Sequence, residues 1–473
     1  MIEEALQQLQ ARWPAERFPL SADEEITAHR LHWFQRFRLR IERWLPVSGR
    51  RLRVASTACW EFPIYSQTFV YQELSELVRG GFRLRFLYSK LNPRSFLPEQ
   101  FSRVWQAKRK LVLHHAVCER DYAYYCERMP EKVRSLVEMI CEAARITPDE
   151  LRNYHHFKQA FAFTRTVEAC GPDYLHSYFF YEGTLFTLVA SYLLDIPRGV
   201  SCYADHMLDD YALKVVPLHI RQCSLVIATS NRIKRELMAI APTLDPDRIV
   251  VKPNAVDCRR FQATVRSAPA KGTPFRLVCV SRIEPKKGLL YLAEAVRLLV
   301  DGGHNVSVRI LGGVDDNEAG RDYARALDEK IRDLGIGSVL HLEGRRSGAE
   351  IQQFLQESHL FLAPFVETES GDKDGIPTAL LEGMASGLPA VVTDAGSIVE
   401  VVDHGQDGLI VPQRDGKALA EAIASLLNDV GLRQRMGSAA AEKIRRSFDV
   451  SVCEKRFHER IRSLTRRQKR NVH

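Results

Sequence analysis

Residues 275–313 read FRLVCVSRIEPKKGLLYLAEAVRLLVDGGHNVSVRILGG, and this stretch predicts the fold. The apolar run at 275–281 is typical of a buried strand, and the segment 287–303 has the apolar spacing of a helix that ends at glycine. The next strand is predicted at 305–313. Strands and helices that alternate in this way form a parallel sheet wrapped by helices, so this half of the chain is predicted to be a doubly wound α/β domain.

The first half of the chain shows the same alternation. Strands are predicted at 51–57 and 82–89, with a helix at 68–81 between them, and the stretch 102–170 is predicted to be mostly helical. A chain of 473 residues is too long for one core, so two such domains are predicted. Two facing domains of this kind place a ligand cleft between them, at the carboxyl ends of their strands.

The chain is predicted to contain five segments. They are a basic amphipathic helical extension at 1–50, an N-terminal Rossmann-like domain at 51–264, a linker at 265–275, a C-terminal Rossmann-like domain at 276–446 and a C-terminal basic helix at 447–473. The linker has small residues, Pro and Gly without periodicity. The last helix is expected to cross back to the N-terminal domain.

The net charge of +8 lies at the two ends of the chain. Segments 30–53 and 455–473 each carry +7, which leaves −6 for the rest and argues against a nucleic-acid-binding protein. The predicted helix in the first of these segments carries Trp33 and Trp44 on its apolar stripe and arginines largely on the other side, a pattern typical of helices that lie on an anionic membrane surface. Alternatively, the apolar stripe packs on the N-terminal domain. No apolar run of spanning length and no signal-like start occurs, so we expect a cytoplasmic protein, peripheral at the inner face of the cell membrane.

The ten cysteines are scattered and form no CxxC pair. This pattern favours reduced thiols over a zinc or disulfide framework.

Two helices are predicted near the end of the second domain, at 377–386 and 397–405. Pro377 suits the first position of the earlier helix, because its missing N–H would be unpaired there. Gly375 and Ile376 then lie at the helix N-terminus, where backbone N–H groups favour an anion or a hydroxyl-rich ligand.

Two carboxylates flank that helix start, Asp374 before it and Glu382 two turns into it. Because eight residues make nearly a whole number of turns, both are expected to project toward one side, about 12 Å apart along the axis. That span suits the two ends of a nucleotide-sugar. The alternative is an acidic cap and a solvated glutamate.

The stretch SRIEPKKG at 281–288 carries the candidate phosphate ligands. Arg282 ends a predicted strand, and Lys287 precedes Gly288 at the start of the next helix. A guanidinium fork and an ammonium at a strand-to-helix turn suit a diphosphate. The alternative is a basic surface loop.

Taken together and in order, these motifs resemble those of the family-4 retaining glycosyltransferases of the GT-B fold, of the colanic-acid and exopolysaccharide type. The matching stretches are an FPxxSETF-like loop at 62–69, an NGVDxxxF-like turn at 254–261, R-x4-K-G at 282–288, an E-G-[IL]-P-x4-E-A-M-A-like helix start at 374–389 and a tail at 433–448.

The resemblance implies a hexosyltransferase that moves a sugar, with retention, from a UDP- or GDP-linked donor to a hydroxyl of a glycan or lipid-linked oligosaccharide in polysaccharide biosynthesis. It places the acceptor on the N-terminal domain and the donor on the C-terminal one. Arg282 and Lys287 would neutralise the diphosphate, Glu382 would bind the ribose, Asp374 would bind the donor sugar, and the loop at 344–346 would face the base. The implied donor-binding residues are Arg282, Lys287, Gly344, Arg345, Asp374, Gly375, Ile376, Pro377 and Glu382, of which Asp374, Arg282 and Lys287 are predicted to be catalytic.

No cofactor is expected. The chain lacks a DxD motif placed to hold a metal diphosphate, and Arg282 and Lys287 can supply the positive charge instead. We therefore expect transfer that needs no divalent metal.

Several residues depart from the family pattern, among them the stretch HSYF at 176–179 where related enzymes read H-x-H-F. Asp374 and Gln67 each replace a glutamate, and Tyr203 replaces a histidine, with His206 three residues on. These changes leave two alternatives to a transferase: an inactive homologue that serves as a partner subunit, and a hydrolase or phosphorylase of the same fold. The residues predicted on the acceptor side are Ser66, Gln67, Thr68, His176, Tyr203 and His206.

Overall fold

The computed structural model describes residues 51–58, 61–64, 67–203, 213, 215–264, 266–315 and 317–470, and the side chains only as far as residue 466. The predicted extension at 1–50 lies outside these ranges. Within them, no helix combines the length and the apolar composition that a membrane-spanning segment needs.

The first half of the chain forms a sheet of seven parallel strands, in the order β5-β3-β1-β6-β7-β8-β9. A short parallel pair, β2 with β4, lies beside it. The strands are β1 (Arg53–Thr57), β2 (Glu61–Phe62), β3 (Arg83–Tyr88), β4 (Lys90–Leu91), β5 (Lys108–Lys110), β6 (Tyr174–Tyr178), β7 (Arg198–Cys202), β8 (Leu225–Ala228) and β9 (Ile249–Val251). Every residue of β1, β6, β7 and β8 is buried, as expected for parallel strands covered on both faces.

Helices cover both faces of this sheet. They are α1 (Thr68–Arg79), α2 (Ser102–Ala107), α3 (His115–Arg128), α4 (Pro130–Ala144), α5 (Pro148–Asn153), α6 (His155–Cys170), α7 (Glu182–Leu194), α8 (Val216–Gln222) and α9 (Asn231–Ile240). Aromatic side chains of α6, including Phe157, Phe161 and Phe163, are fully buried and fill the core on one face. The stretch 102–170 is mostly helical, as predicted, apart from the short edge strand β5.

The second half forms a sheet of six parallel strands, in the order β12-β11-β10-β13-β14-β15. The strands are β10 (Phe275–Val280), β11 (Val306–Leu311), β12 (Leu340–Gly344), β13 (Leu360–Ala363), β14 (Ala390–Thr393) and β15 (Gly408–Val411). The helices around them are α10 (Leu289–Asp301), α11 (Glu318–Asp333), α12 (Gly348–Glu357), α13 (Thr378–Ala385), α14 (Gly416–Asn428) and α15 (Val430–Ser447). Two doubly wound α/β domains, the predicted fold class, are confirmed.

The helix predicted at 397–405 is wrong. Only a 3₁₀ turn forms there, at Ile398–Glu400. Its valines are β-branched and stiff in a helix. The Asp407 carboxylate accepts a hydrogen bond from the Asp403 N–H (2.8 Å) and so closes a turn where the helix would continue.

The last helix, α16 (Val450–Arg470), follows the second domain but packs on the first. Its Phe457 and Ile461 are fully buried in the cluster that contains the apolar face of α1. The Arg462 guanidinium donates to the Gly80 carbonyl at the end of α1 (2.7 Å). The described part of the predicted linker, residues 266–274, has neither helix nor strand, and the predicted segment boundaries stay predictions.

Candidate functional site: the cleft between the two domains

The loop after β10 is shaped by Gly288. After the 3₁₀ turn Pro285–Lys287, this glycine has φ +60°, and a Cβ on it would lie 1.9 Å from the Pro364 carbonyl oxygen. Only glycine fits a backbone that approaches so closely. The close approach brings Lys287 against the end of β13.

Lys287 lies at the centre of the contacts in this loop. Its side chain is buried, and its ammonium forms an ion pair with the Asp374 carboxylate. Its Nζ lies 3.7 Å from Glu284 Oε1 and 4.4 Å from the centre of the Phe365 ring. The two predicted catalytic residues Lys287 and Asp374, 87 positions apart in sequence, are therefore in direct contact.

The other cations of the loop also have carboxylate partners. The Arg282 guanidinium, about half exposed, bonds to Asp315 Oδ1 (2.8 Å) and Glu284 Oε1 (3.0 Å). The buried Lys286 pairs with Asp372 Oδ2 (3.0 Å). Burial alone would lower the pKa of Arg282 and of Lys286, but the surrounding carboxylates raise both, so both stay charged. We call these residues the donor-side cluster: Arg282, Glu284, Lys286, Lys287, Asp315, Asp372 and Asp374.

Three cations and four carboxylates make the donor-side cluster negative by one charge. A bound diphosphate would therefore share these cations with carboxylates. The ammonium of Lys287 has three N–H groups, so it can donate to a phosphate oxygen while it keeps Asp374.

The segment before α13 is extended, which corrects two predictions. Pro377 has φ −72° and ψ 124°, so it precedes the helix instead of starting it, and its carbonyl accepts from the Leu380 N–H (3.1 Å). The helix begins at Thr378, and Glu382 therefore lies in its second turn, not two turns beyond Asp374 on one helical face. The spacing argument that placed both carboxylates on one side was wrong because residues 374–377 are not helical.

Glu382 is a partly buried carboxylate. Among the residues that the structure describes, no hydrogen bond or ion pair reaches its side chain. Burial raises its pKa to about 7, although the positive charge of Arg260 acts in the opposite direction. A carboxylate kept partly from water and without a partner is able to accept hydrogen bonds from ligand hydroxyl groups.

Contacts from three directions hold Asp374, Gly375 and Ile376 in place. The Asp374 carbonyl accepts from the Ser397 N–H (3.3 Å) and from the Arg232 guanidinium (3.4 Å). The Ile376 carbonyl accepts from the Asn254 amide (2.8 Å). Arg232 and Asn254 belong to the predicted N-terminal domain at 51–264, so both domains position this segment.

The predicted base-facing loop lies beside the donor-side cluster. Gly344, at the end of β12, has φ +66°, and its carbonyl accepts from the Gly312 N–H (2.9 Å). A Cβ on Gly312 would lie 1.9 Å from the carbonyl oxygen of Ser281, the residue before Arg282. A Cβ on Gly313 would lie 3.6 Å from the Nε of Arg345. These loops therefore meet at the carboxyl edge of the second sheet.

The two domains also meet along one hydrogen-bonded seam. Glu400 accepts from the backbone N–H groups of Asn231 (2.7 Å) and Arg232 (2.8 Å), which start α9. Ser397 donates its hydroxyl to the Ser230 oxygen (2.9 Å). A carboxylate at a helix N-terminus is favourable because it satisfies unpaired N–H groups and faces the positive end of the helix dipole. The sequence analysis missed this seam, because nothing local to Glu400 indicates α9.

Of the predicted acceptor-side residues that the structure describes, His176 and Tyr203 have their side chains in the interior of the first domain. Ser66 and His206 lie outside the described residues, Gln67 precedes α1, and Thr68 is its first residue. His176 is fully buried within β6, where its Nε2 lies 2.9 Å from the Ser201 hydroxyl. Burial lowers the pKa of His176 to about 4, so it is neutral near pH 7.

Tyr203 points into the domain interior. Its hydroxyl donates to Glu73 Oε2 (3.1 Å), and the same oxygen lies 2.5 Å from the ammonium of Lys252. Lys252 also pairs with Glu454 Oε1 on α16 (2.8 Å). We call this group, with His176 beside Glu73, the buried polar cluster: Glu73, His176, Tyr203, Lys252 and Glu454.

In the buried polar cluster, the ammonium of Lys252 forms ion pairs with two carboxylates. Burial alone would lower the pKa of Lys252, but Glu454 and Glu73 raise it well above its ordinary value. Burial raises the pKa of Glu454. Glu73 could have been found from sequence, because it lies three residues after Val70 and four before Leu77, on the buried face of α1.

Comparisons with known proteins agree with this architecture. The family model described as "Glycosyltransferase Family 4" matches residues 67–260, and the one described as "Glycosyl transferases group 1" matches residues 261–443. The two matches meet without a gap and together cover most of the chain. The chain belongs to these glycosyltransferases, and the resemblance read from its motifs is confirmed.

Named relatives fall in the same group. The chain is 32% identical over 220 residues to the putative colanic acid biosynthesis glycosyltransferase WcaL of Salmonella typhimurium. This alignment covers 46% of this chain and 52% of that protein. It is 28% identical over 267 residues to the amylovoran biosynthesis glycosyltransferase AmsK of Erwinia amylovora, 56% of this chain and 63% of that one. The matches thus span only about half to two thirds of these relatives.

Among solved structures, HepE of Anabaena in complex with UDP aligns with a TM-score of 0.64 at 16% identity, over 87% of this chain and 100% of that one. At this identity the likeness concerns the fold alone. It confirms the GT-B arrangement of two facing Rossmann-like domains.

Proposed function

We propose that the protein transfers a hexose from a UDP- or GDP-linked donor to a hydroxyl group of a glycan or lipid-linked oligosaccharide. The observation that carries this proposal is the contact between Lys287 and Asp374 at the carboxyl edge of the donor domain, with the unpartnered carboxylate of Glu382 nearby in sequence. A cation for the diphosphate, a carboxylate for the sugar and a second carboxylate for the ribose are the groups that a nucleotide-sugar requires.

The bond changes of this reaction are simple. The acceptor oxygen forms a bond to the anomeric carbon while the bond from that carbon to the diphosphate oxygen breaks. The acceptor proton passes to the leaving phosphate oxygen. Arg282, Lys286 and Lys287 stabilise the charge that develops on the diphosphate, and such electrostatic stabilisation is usually the largest contribution to catalysis. We propose that these cations, although carboxylates share them, supply enough positive charge for transfer without a divalent metal.

We propose that the configuration at the anomeric carbon is retained. Retaining glycosidases use two close carboxylates, one of them as nucleophile. Here the candidate acceptor-side residues Tyr203 and His176 are engaged in the buried polar cluster. We therefore propose attack from the same face as the departing diphosphate, with the leaving phosphate oxygen itself taking the acceptor proton.

The relatives support a role in polysaccharide biosynthesis. WcaL is named for colanic acid and AmsK for amylovoran, and HepE was solved with UDP. We propose a polysaccharide precursor as acceptor and a position at the inner face of the cell membrane. Vesicle co-sedimentation of the full chain against a chain lacking residues 1–48 tests the predicted N-terminal contribution: salt-dependent binding of the full chain and weaker binding of the shortened chain are expected, and equal binding by both or no dependence on salt contradicts it.

One assay tests the reaction itself. Proton NMR of the product made from an α-linked donor should show an α-linked sugar, and the rate should persist in EDTA. A β-linked product would refute retention, and complete loss of activity in EDTA would refute the role given to the three cations. Donor consumption without acceptor would indicate a hydrolase, and no turnover with any donor would favour the inactive partner subunit.

A further inference from the structure

The edge of the first sheet that ends in β5 is strongly basic. Segment 90–110, which contains β4, α2 and the edge strand β5, holds six basic residues and a single acidic one, Glu99. Its net charge of +5 is more than half of the +8 of the whole chain. Besides α16, the described residues therefore contain a second basic stretch, at the β5 edge of the first sheet.

Exposed apolar side chains lie within this basic segment. Leu91 is 48% exposed and Phe96 is 38% exposed, although large apolar residues at the surface are uncommon among the described residues. The Trp105 ring lies between two cations, with the Lys108 ammonium 4.1 Å and the Arg94 guanidinium 5.2 Å from its centre. We call this group the Trp105 surface: Lys90, Leu91, Arg94, Phe96, Trp105 and Lys108.

The Trp105 surface lies at the side of the sheet where the cleft opens. β4 pairs in parallel with β2, which follows the carboxyl end of β1. Among the described residues, β5 pairs with the carboxyl-terminal half of β3, from Phe86 to Tyr88. In open α/β sheets, ligands bind outside the carboxyl ends of the strands. A partner on this surface would therefore lie beside the acceptor side of the cleft.

We propose that the Trp105 surface docks on an anionic lipid bilayer, an inference that rests on the proposed transfer to a lipid-linked acceptor. Arg94 and Lys108 match the anionic headgroups, whereas Lys90 shares its charge with Glu61 (2.6 Å), and Leu91 and Phe96 enter the boundary between headgroups and acyl chains. A soluble polyanion, such as an acidic glycan, would match the charge but leave these two side chains in water. The exposed apolar residues therefore favour the bilayer.

Co-sedimentation of the full chain with phosphatidylcholine vesicles, with and without phosphatidylglycerol, tests this proposal. The Leu91→Ser/Phe96→Ser variant should bind the anionic vesicles about tenfold more weakly or worse, because two apolar side chains no longer leave water. The matched control is Leu298→Ser/Val430→Ser, which alters side chains of similar exposure (44% and 36%) on the other domain and should bind like the parent.

The cations are tested separately. Arg94→Gln should weaken binding about fivefold and reduce its salt dependence, whereas removal of phosphatidylglycerol should abolish most of the binding of the parent. If Arg94→Gln weakens binding but Leu91→Ser/Phe96→Ser does not, the contact is electrostatic alone, the apolar side chains do not enter the bilayer, and the proposal is overturned. Equal binding to both kinds of vesicle overturns it as well.

Transfer to a soluble acceptor separates this proposal from the proposed function. Leu91→Ser/Phe96→Ser should keep the parent rate on such an acceptor and lose rate only when the acceptor is embedded in vesicles. If the parent itself shows no transfer to any acceptor, the proposed function fails, whereas the vesicle result still decides the docking surface.

Discussion

The donor-side cluster and the buried polar cluster are both built from lysines and carboxylates, but they differ in their access to solvent. In both, one lysine contacts two carboxylates: Lys287 with Asp374 and Glu284, and Lys252 with Glu73 and Glu454. The first lies on loops at the carboxyl edge of a sheet, with the half-exposed Arg282 beside it. The second is enclosed between α1, β6, the end of β9 and α16.

Access decides what each cluster can do. On an open edge, a ligand can compete for an ammonium, so an ion pair there holds a binding group in position until the ligand arrives. In an enclosed cluster no ligand can enter, and the loss of one partner leaves an uncompensated buried charge. We therefore expect substitutions in the first cluster to affect turnover and those in the second to affect stability.

The largest effect is expected for Lys252→Met. It leaves Glu73 and Glu454 buried without their cation, and the free energy of unfolding should fall by about 3–5 kcal/mol. Denaturant unfolding at pH 8 measures this loss. The control is Lys132→Met, which breaks an exposed pair with Asp195 and should lower stability by less than about 1 kcal/mol. Similar losses in both variants would contradict the distinction between the clusters.

Lys287→Ala should lower the single-turnover transfer rate by about a hundredfold, since it removes a cation that acts on the departing diphosphate. Its unfolding midpoint should change far less than that of Lys252→Met. Lys271→Ala, at an exposed position in the predicted linker, is the control and should retain the parent rate. Transfer by Lys287→Ala at the parent rate would remove Lys287 from the phosphate site.

Glu382 should make nucleotide binding depend on pH. Its pKa of about 7 lies above the ordinary carboxyl value, so the group is ionised and able to accept ribose hydroxyls above pH 7, and protonated below it. UDP affinity, measured by calorimetry, should fall about tenfold between pH 8 and pH 6 from this group. Glu382→Gln should bind more weakly at pH 8 and lose this part of the pH dependence.

The same shift predicts a change in stability without ligand. The pKa of Glu382 is higher in the folded chain than the ordinary value of 4.5, so protonation favours the folded state. This contribution to the free energy of unfolding is fully present below pH 4.5 and is lost as the pH rises through about 7. Glu382→Gln should flatten the stability profile in this window. Glu421→Gln, at an exposed position of α14, should change neither the binding profile nor the stability profile. Parallel profiles for parent and Glu382→Gln would contradict the assignment.

The smallest effect is expected for Asp374→Glu, which restores the residue found in the family motif. The ion pair to Lys287 persists with one more methylene, so the single-turnover rate should stay within about threefold of the parent rate. Asp374→Asn is the contrasting variant: it removes the charge that Lys287 faces and should lower the rate more. A large loss in Asp374→Glu would show that the cleft is adjusted to the shorter side chain.

The sequence by itself predicted the two α/β domains and the stretches that form the donor side. Strand and helix periodicity is a local property, so it can be recognised from the sequence. The turn at Gly288 can be recognised as well, because glycine itself indicates a backbone that other residues rarely adopt. Lys287, Asp374 and Arg282 were found because they follow predicted strands or precede a helix. Carboxyl ends of parallel strands meet at one edge, whatever the details of packing.

Only the tertiary structure decided which partners these residues have. Lys287 faces Asp374, Glu400 caps α9 across the domain seam, and Glu73, Lys252 and Glu454 meet although they lie on three distant segments. Tyr203 is assigned to a buried network by its contact with Glu73, which local sequence does not encode. Such pairs are favoured because a buried charge without a partner is costly, and the partner is a group that folding brings close in space. Which group that is depends on the packing of the whole chain.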